Sequence, residues 1–392
     1  MEINIHKINL NQNMEIIFLT GAIQALFFAG LLIRKQESSF DKKLLSVWFL
    51  FLGIHLSLLF LLNKSFCNDK YILTIIHLTF PLLHYPIFYL YVKSLVNKTT
   101  KSHFIELFHF APYLIIFLLL SLFPDNRDFL SISNHPNRLI HFNLILNLVS
   151  GLTYMSLSLK LLKKYNKRIK QAFSSIDKIN LKWLAHLIFS FCVVLLIGIT
   201  YIILTKGFQL NFNLSIDAFV YGSITFFVFF IGFYSIKKTA FFSYQNFGED
   251  VDATTSKQNN KNKYDKYGLK KKEIPKLKET LLQYMDEKKP YLDCNLTLAQ
   301  LAEKLNVYKH YLTQILNDEL NQNFFDFINS YRIEEVKNRL AEKNSGQYTL
   351  LGIAFDSGFN SKSSFNRIFK NHTGITPSQY KKSLPQKQVL SV

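Results

Sequence analysis

A run of hydroxyl, amide and cationic side chains near the C-terminus has the spacing of a surface that contacts a polyanion. In the stretch SKSSFNRIFKNH, Phe365, Ile368 and Phe369 recur at helical spacing and are expected to face a core. The other positions then point outward: Ser361, Lys362, Ser363, Ser364, Asn366, Arg367 and Lys370. These side chains donate hydrogen bonds to phosphates and base edges, so the stretch predicts contact with nucleic acid.

A second stretch, TLAQLAEKLNVYKHYLTQIL from Thr297 to Leu316, has the same design. Thr297 is a suitable N-cap, and Leu298, Leu301, Ala302 and Leu305 line one face of the helix that follows. Asn306 tolerates the left-handed conformation of a tight turn, after which Val307, Leu312 and Ile315 resume an apolar face. This spacing is typical of a helix-turn-helix, although any helical hairpin can imitate it.

The two stretches repeat the same pattern of apolar residues around a turn. Ile353 and Ala354 stand 52 residues after Leu301 and Ala302, and Gly358 takes the place of Asn306. The step from Phe359 to the next core residue, Phe365, is one position longer than the step from Val307 to Leu312. This difference predicts one extra residue in the second turn. The repetition favours two helix-turn-helix units, at 298–319 and 350–372.

These residues resemble the AraC/XylS family of bacterial transcription regulators over roughly Leu281 to Lys382. The resemblance is carried by NFFDFINSYRIEEVKNRL between the units and by IAFDSGFNSKSSFNRIFKNHTGITPSQYKK at the end. Three positions depart from the family pattern: Asn306 and Asn321 replace a frequent glycine, and Val336 replaces a frequent alanine. These replacements concern packing and turn conformation, not the assignment.

The resemblance implies two recognition helices joined by a helix from about Phe324 to Glu342. At 1.5 Å per residue that helix spans roughly 28 Å, near the ~34 Å of one DNA turn, so both recognition helices could enter successive major grooves. The DNA contacts that it implies are Tyr308, Lys309, His310, Tyr311 and Gln314 in the first unit, and Ser361, Lys362, Ser363, Asn366, Arg367 and Lys370 in the second. Tyr311 is alternatively a core residue.

The N-terminal 236 residues have a different character. The chain has a net charge of +19, yet 49% of its residues are hydrophobic. Seven apolar runs approach the ~20 residues that cross a bilayer, and few of them show the polar face of a soluble helix. They are Ile16–Ile33, Leu44–Leu62, Tyr71–Val92, Phe104–Phe123, Leu139–Leu162, Leu181–Leu204 and Ala218–Ile236. The expected fold is therefore all-α, with a seven-helix transmembrane bundle before the two helix-turn-helix units.

Charge in the loops predicts the orientation of the bundle. The loops after the first, third and fifth runs hold 13 Lys and Arg residues, against 5 in the loops between them. Because cytoplasmic loops are enriched in Lys and Arg, the N-terminus is expected outside and the chain after Lys237 in the cytoplasm. The localisation predicted is the bacterial inner membrane, as a multi-pass protein.

Polar residues inside the predicted spans are candidates for sensing. His55, His77, His84, Asn143 and Asn147 lie in apolar runs, where polar groups are costly and usually point into the bundle. Hydrogen bonding between helices is the alternative role. The three cysteines, Cys67, Cys192 and Cys294, are too scattered for a disulfide framework or a zinc site, and no metal or other cofactor is predicted.

The expected domains are a membrane sensor domain at 1–236, a basic flexible linker at 237–273 and a DNA-binding domain at 274–384. The linker has seven lysines from Lys257 to Lys272, which suit solvent and anionic lipid headgroups alike. The AraC/XylS resemblance implies a transcription regulator that binds double-stranded DNA, and the apolar half looks like the seven-helix sensor modules that are fused to this DNA-binding domain in some bacteria. We therefore expect a membrane-anchored regulator that responds to an unknown ligand or membrane partner. The lysines of the linker predict contact with membrane lipid, and two tethered copies are expected to pair as a homodimer. The alternatives are a transporter or membrane enzyme with an accessory DNA-binding domain, and a scaffold. No P-loop, HExxH or GxSxG motif supports an enzyme.

Overall fold

The computed structural model describes residues 2–34, 39–63, 71–97, 104–122, 138–177, 179–202, 204, 208, 210, 216–242, 273–342 and 348–384. Within these residues the fold is all-α, and the single β-bridge joins Phe173 to Thr297. Most of the predicted linker lies outside the described residues. The chain divides into two compact units, Met1–Lys163 with Leu181–Ser243 and Lys164–Asn180 with Tyr244–Val392.

The first unit is built from apolar helices at each of the seven predicted places. They are α1 (Glu2–Arg34), α2 (Phe40–Asn63), α3 (Tyr71–Thr79), α4 (Pro81–Asn97), a 3-10 helix (Phe104–Phe110) leading into α5 (Ala111–Leu122), α6 (Arg138–Ala172), α7 (Lys182–Ile202) and α8 (Ile216–Phe242).

Five segments of the described chain are long and apolar enough to cross a membrane: Glu15–Arg34, Phe40–Leu62, Tyr71–Asn97, Phe104–Leu122 and Phe142–Ala172. Two shorter apolar helices, Lys182–Gly198 and Gly222–Tyr234, fall at the sixth and seventh predicted spans. Large apolar side chains cover the outer faces of these helices, and such faces suit lipid better than water. Examples at least half exposed are Ile16, Phe27, Leu118, Leu122 and Phe189.

Two spans differ from their predicted form. The third is not one helix, because α3 ends at Thr79 and α4 begins at Pro81, whose ring cannot continue the preceding helix. The fifth does not end at Leu162, since α6 runs ten residues further to Ala172. Those extra residues are mostly polar and basic, and from Lys164 onward they belong to the second unit.

Small residues let the first unit pack tightly. Ser46 on α2 donates a hydrogen bond to the Ala29 carbonyl on α1 at 2.8 Å. On α8, Gly232 lies so close to Phe28 of α1 that an added Cβ would overlap the ring. In a membrane the hydrophobic effect does not drive helices together, and small residues stabilise their packing by allowing close contact.

The C-terminal part of the second unit holds the remaining helices. They are α9 (Ile274–Lys288), a 3-10 turn (Pro290–Leu292), α10 (Leu298–Lys304), α11 (Lys309–Gln314) continued by a π turn (Ile315–Glu319), α12 (Phe324–Ala341), α13 (Leu350–Asp356), α14 (Lys362–Thr373) and α15 (Pro377–Ser383). One core joins the first five of these elements, and its fully buried members include Leu281, Met285, Leu301, Leu312, Ile315 and Ile328.

Candidate nucleic-acid interface

The first helix-turn-helix unit consists of α10 and α11. Thr297 caps α10 in a capping box with Gln300, as expected of a Thr at this place. Asn306 adopts φ +54°, the left-handed conformation predicted for it, and Asn321 does the same at φ +50°. The Val307 amide then donates to the Ala302 carbonyl at 2.9 Å, which closes the turn and starts α11 in a new direction.

The outward face of α11 is aromatic. Tyr308 is 71% exposed, and its ring stacks on His310 with centroids 5.7 Å apart. Tyr311, for which a core position was the alternative, is half-buried; it packs edgewise against Tyr308 and at a tilt against His310. Gln314 is less accessible, since its Oε1 atom is buried without a hydrogen-bond partner. Lys309 is half-buried at the start of the helix.

The second unit consists of α13 and α14, and its turn does contain one extra residue. Four residues separate α10 from α11, whereas five separate α13 from α14. Gly358 adopts φ +92°, and a Cβ at this position would overlap the Tyr291 carbonyl and lie 2.8 Å from Arg332 Nε. Glycine is therefore required twice, for the backbone angle and for the close contact.

Helix α14 presents most of the predicted donors. Phe365, Ile368 and Phe369 are buried as predicted. Ser364 was expected to face outward and does not, because it is 4% exposed beside Phe365. Ser361 is the N-cap and its Oγ accepts from the Ser364 amide at 3.1 Å. Of the predicted donors on this helix, Lys362, Ser363, Asn366 and Lys370 are exposed and Arg367 is half-buried.

A buried guanidinium on α12 binds the turn that precedes the first helix-turn-helix unit. Arg332 is 1% exposed and donates to the carbonyls of Tyr291 and Asp293, each at 2.8 Å. Burial lowers the pKa of Arg332 to about 10, so the group stays charged at neutral pH. With 18 residues, α12 is about 27 Å long.

A second polar group on α12, Glu335, ties the same region together. Its carboxylate accepts from Lys289 at 3.0 Å, from Arg339 at 2.9 Å and from the Tyr291 hydroxyl at 3.3 Å. Burial opposes ionisation, but the hydrogen bonds from Arg339 and Lys289 prevail and lower the pKa of Glu335. The pKa of Tyr291 is raised to about 12 by burial and by the neighbouring carboxylate.

Residues 173–177, which follow α6, pack on this domain, a feature that the sequence did not predict. Ser174 is 1% exposed, and its amide and hydroxyl both donate to the Leu296 carbonyl, at 3.2 and 2.7 Å. Asn360 donates to Ser175 Oγ at 2.8 Å. Asp177 accepts from Ser361 Oγ at 2.6 Å and lies 3.5 Å from Arg367 Nη2. We call these residues the 173–177 segment.

The predicted sensing residues form two separate groups in the first unit. His55 joins the other two histidines, since its Nδ1 lies 3.0 Å from His84 Nε2 and its Nε2 lies 2.9 Å from His77 Nδ1. His77 lies on α3 and His84 on α4, and both rings contact His55 of α2. Asn143 donates to the Leu78 carbonyl at 3.1 Å, and Asn147 donates to Asn143 Oδ1 at 3.0 Å. Hydrogen bonding between helices is thus one role of both groups.

The histidine row ends at an apolar cleft, whose empty space of about 680 Å³ includes the part that is open to the surroundings. Its walls come from α2, α4, α6, α7 and α8, with residues such as Leu52, Phe88, Met155, Leu187 and Val228. Two lining side chains have buried nitrogens without a hydrogen-bond partner, His84 Nδ1 and Trp48 Nε1. In the described part of the chain, no group of His, Cys, Asp or Glu is arranged to hold a metal ion.

Comparison with known proteins identifies the C-terminal domain. Residues 301–383 match the family model described as "Helix-turn-helix domain". Over 91 residues the chain is 34% identical to an uncharacterized HTH-type transcriptional regulator of Staphylococcus aureus strain COL, covering 23% of this chain and 12% of that protein. It is 32% identical over 89 residues to the uncharacterized HTH-type transcriptional regulator YtdP of Bacillus subtilis strain 168, covering 23% of this chain and 11% of that one.

A solved structure of a Listeria innocua protein of unknown function is 30% identical, with 26% of this chain and 93% of that chain covered at a TM-score of 0.24. The chain spans only 11–12% of the length of the two curated relatives, so their likeness concerns this domain alone. Two helix pairs joined by α12, together with the family model and the two curated regulators, define a helix-turn-helix DNA-binding domain. Within that class it is of the AraC type, as the sequence resemblance predicted.

Proposed function

We propose that the protein is a membrane-anchored, sequence-specific transcription regulator. The observation that carries the proposal is the union, in one chain, of two complete helix-turn-helix units with seven apolar helical segments. The donors on α14 and the aromatic face of α11 supply the contacts to bases and phosphates. The DNA contacts are those predicted above, and we assign the chain no enzymatic reaction.

The orientation proposed is N-terminus outside and DNA-binding domain in the cytoplasm of a bacterial cell. The charge bias of the loops supports it. The second unit adds an independent argument, because the loop after α6 packs on the DNA-binding domain and must lie on the same side of the membrane. That loop is the most basic of the predicted cytoplasmic loops.

The cleft of the first unit is the proposed site of the signal. A molecule that fits it has an apolar body, which matches the walls, and at least one polar atom that can pair with His84 Nδ1 or Trp48 Nε1. Binding there would act directly on the row formed by His84, His55 and His77. His84→Phe is expected to abolish the response to signal while leaving the DNA sequence that is bound unchanged.

Two copies are proposed to act together. The basic residues between 237 and 273 form a long polar connection, which transmits proximity better than it transmits a rotation. Bringing two tethered domains together can raise avidity by ~10² or more without new contacts. A foreign dimeric membrane anchor in place of residues 1–236 is then expected to regulate the same genes without the signal.

Genome-wide mapping of bound DNA in living cells tests the proposed function. The full-length protein is expected to occupy a small set of sites that share a sequence, and Arg367→Ala with Asn366→Ala is expected to lose them. Occupancy without a shared sequence, or unchanged occupancy in the double variant, would contradict sequence-specific binding through α14.

A further inference from the structure

The 173–177 segment is anchored to the DNA-binding domain by buried hydrogen bonds. The Ser174 carbonyl accepts from Asn329 Nδ2 at 3.0 Å and from Arg332 Nη1 at 3.3 Å, and Ser174 Oγ accepts from Arg332 Nη2 at 3.0 Å. Phe173 and Ile176, on either side, are each 5% exposed. Because a buried donor without a partner is unfavourable, the pairing of Arg332 and Asn329 with Ser174 stabilises the docked position of the segment.

The segment is itself ordered as a turn. Tyr165 donates through its hydroxyl to the Ile179 carbonyl at 2.8 Å, and Asn180 Nδ2 donates to the Asp177 carbonyl at 2.8 Å. Lys170, in the last turn of α6, lies over the Phe325 ring at 5.4 Å. The position of Asp177 is therefore fixed from both sides.

Asp177 reaches the surface that the proposed function assigns to DNA. Ser361, which donates to its carboxylate, is the N-cap of the 12-residue α14. The carboxylate thus lies at the positive end of a helix dipole and beside the Arg367 guanidinium. A helix N-terminus next to an arginine is the environment that a DNA phosphate occupies.

We propose that the 173–177 segment is an internal competitor of DNA, which closes the second helix-turn-helix unit until the segment is released. The inference rests on the proposed function, because it concerns the same surface. The Asp177 carboxylate and a phosphate would share donors and repel each other, so docking and DNA binding exclude each other at α14. Tyr308, the residue at the start of α11, stays exposed beside the docked segment's partner helices.

The docked protein should therefore contact half of its site and bind weakly. When only the released state binds fully, the apparent Kd rises in proportion to the fraction that is docked. By reciprocity, DNA must weaken docking by the same factor. The ion pair is partly exposed, with 24% of the Asp177 side chain accessible, so the anchor at Ser174 should contribute more to docking than the charge does.

The test uses the full-length protein in nanodiscs of phosphatidylethanolamine and phosphatidylglycerol. The DNA is the duplex recovered by selection from a random pool with this protein and its variants. Asp177→Asn should bind that duplex about two- to fivefold more tightly than the unchanged protein. Ser174→Phe, which cannot enter the buried site, should bind it at least about tenfold more tightly and extend its footprint by one half-site. Asp41→Asn removes one charge from another predicted cytoplasmic position and should leave Kd unchanged.

A cross-linking measurement reports docking without relying on affinity. Ser175→Cys and Asn360→Cys are introduced into a protein whose native cysteines are replaced by serine, and a short bismaleimide should join the two thiols. The joined protein should bind DNA at least about tenfold more weakly, and added duplex should reduce the yield of joining.

The outcomes separate the two proposals. If neither the unchanged protein nor any variant enriches a shared sequence from the random DNA pool, the proposed function is wrong, and so is this inference. If all variants select one sequence with equal Kd, or if the joined protein binds DNA as well as the free one, the regulator stands and the internal competitor is wrong.

Discussion

Arg367 has two possible partners, Asp177 and DNA. Its guanidinium pairs with Asp177 in the structure and lies on the surface proposed to bind DNA. A guanidinium can pair with a carboxylate, a phosphate or the O6 and N7 atoms of guanine, and only the last contact reads sequence. Lys370, on the same helix and exposed, has a compact charge better suited to phosphate.

The first prediction separates these contact types. Arg367→Ala should weaken binding to the selected duplex by ~1–3 kcal/mol if Arg367 reads a guanine, with a smaller effect on random DNA. Lys370→Ala should weaken binding to both duplexes alike and reduce the slope of log K against log salt by about one. Titrations at several salt concentrations measure both quantities. Equal losses on the two duplexes for Arg367→Ala would make Arg367 a phosphate contact.

The second prediction concerns Gly358. Gly358→Ala should destabilise the DNA-binding domain strongly, by ~3 kcal/mol or more, because φ is +92° and the new Cβ would overlap the Tyr291 carbonyl. Gly374→Ala is the matched control: φ there is +80°, but nothing lies within 4 Å of the added Cβ. The control should lose only ~1–2 kcal/mol, the cost of the backbone angle.

Hydrogen exchange of the amides in α12 and α14 measures both losses. Similar losses in the two glycine variants would show that the contact with Tyr291 adds nothing to the backbone requirement.

The third prediction uses the buried carboxylate of Glu335. Its pKa is lowered in the folded protein from an ordinary value of 4.5, so its stabilising contribution is complete above that value. The contribution is then lost as the pH falls through the lower, folded pKa. Glu335→Gln should lower stability by ~1–3 kcal/mol at pH 7 and should flatten the acid side of the stability curve.

Glu334→Gln is its control, because Glu334 pairs with Lys337 at 2.7 Å but is 59% exposed. That variant should change the stability of the domain by less than ~1 kcal/mol at any pH. If Glu334→Gln changed the pH dependence of stability as much as Glu335→Gln does, the pH dependence would come from surface charge in general and not from the buried carboxylate.

Among the elements, those with a local cause could be predicted from the sequence. The left-handed turns at Asn306 and Gly358 follow from residue types that tolerate positive φ, and the structure has both. The faces of α10 and α14 follow from helical periodicity, apart from Ser364, which is small enough to be buried beside Phe365. The break between α3 and α4 falls at Pro81, although one continuous span was predicted there.

The elements that the sequence did not reveal depend on contacts between distant residues. Ser174 and Asn329 are 155 positions apart, and a serine in a basic loop has no local pattern that marks a buried anchor. His55 was predicted as a polar residue of its own span, but only the packing of α2 against α3 and α4 joins it to His77 and His84. Periodicity reports which face of a helix is buried and says nothing about its partner.

At the scale of the whole molecule, the fourth prediction is the topology. A reporter that is active only in the cytoplasm should be active when fused after Lys101 or Lys237, and inactive after Lys70 or Lys206. The physical reason is the excess of Lys and Arg in alternate loops, which resist transfer across the membrane. An inactive reporter after Lys237 would place the DNA-binding domain away from DNA and would contradict the proposed function.

The row of three histidines has a consequence for how a signal would be read. A neutral imidazole donates through one nitrogen and accepts through the other, and His55 uses both in the row. The two hydrogen bonds must therefore run in the same direction along the row, so a neutral row has only two arrangements. A bound ligand that accepts a hydrogen bond from His84 Nδ1 would select one arrangement, and a ligand that donates to this atom would select the other. We therefore expect the first unit to have two discrete states, one for each direction of these hydrogen bonds. A higher concentration of ligand should shift more molecules from one state to the other, without producing intermediate states.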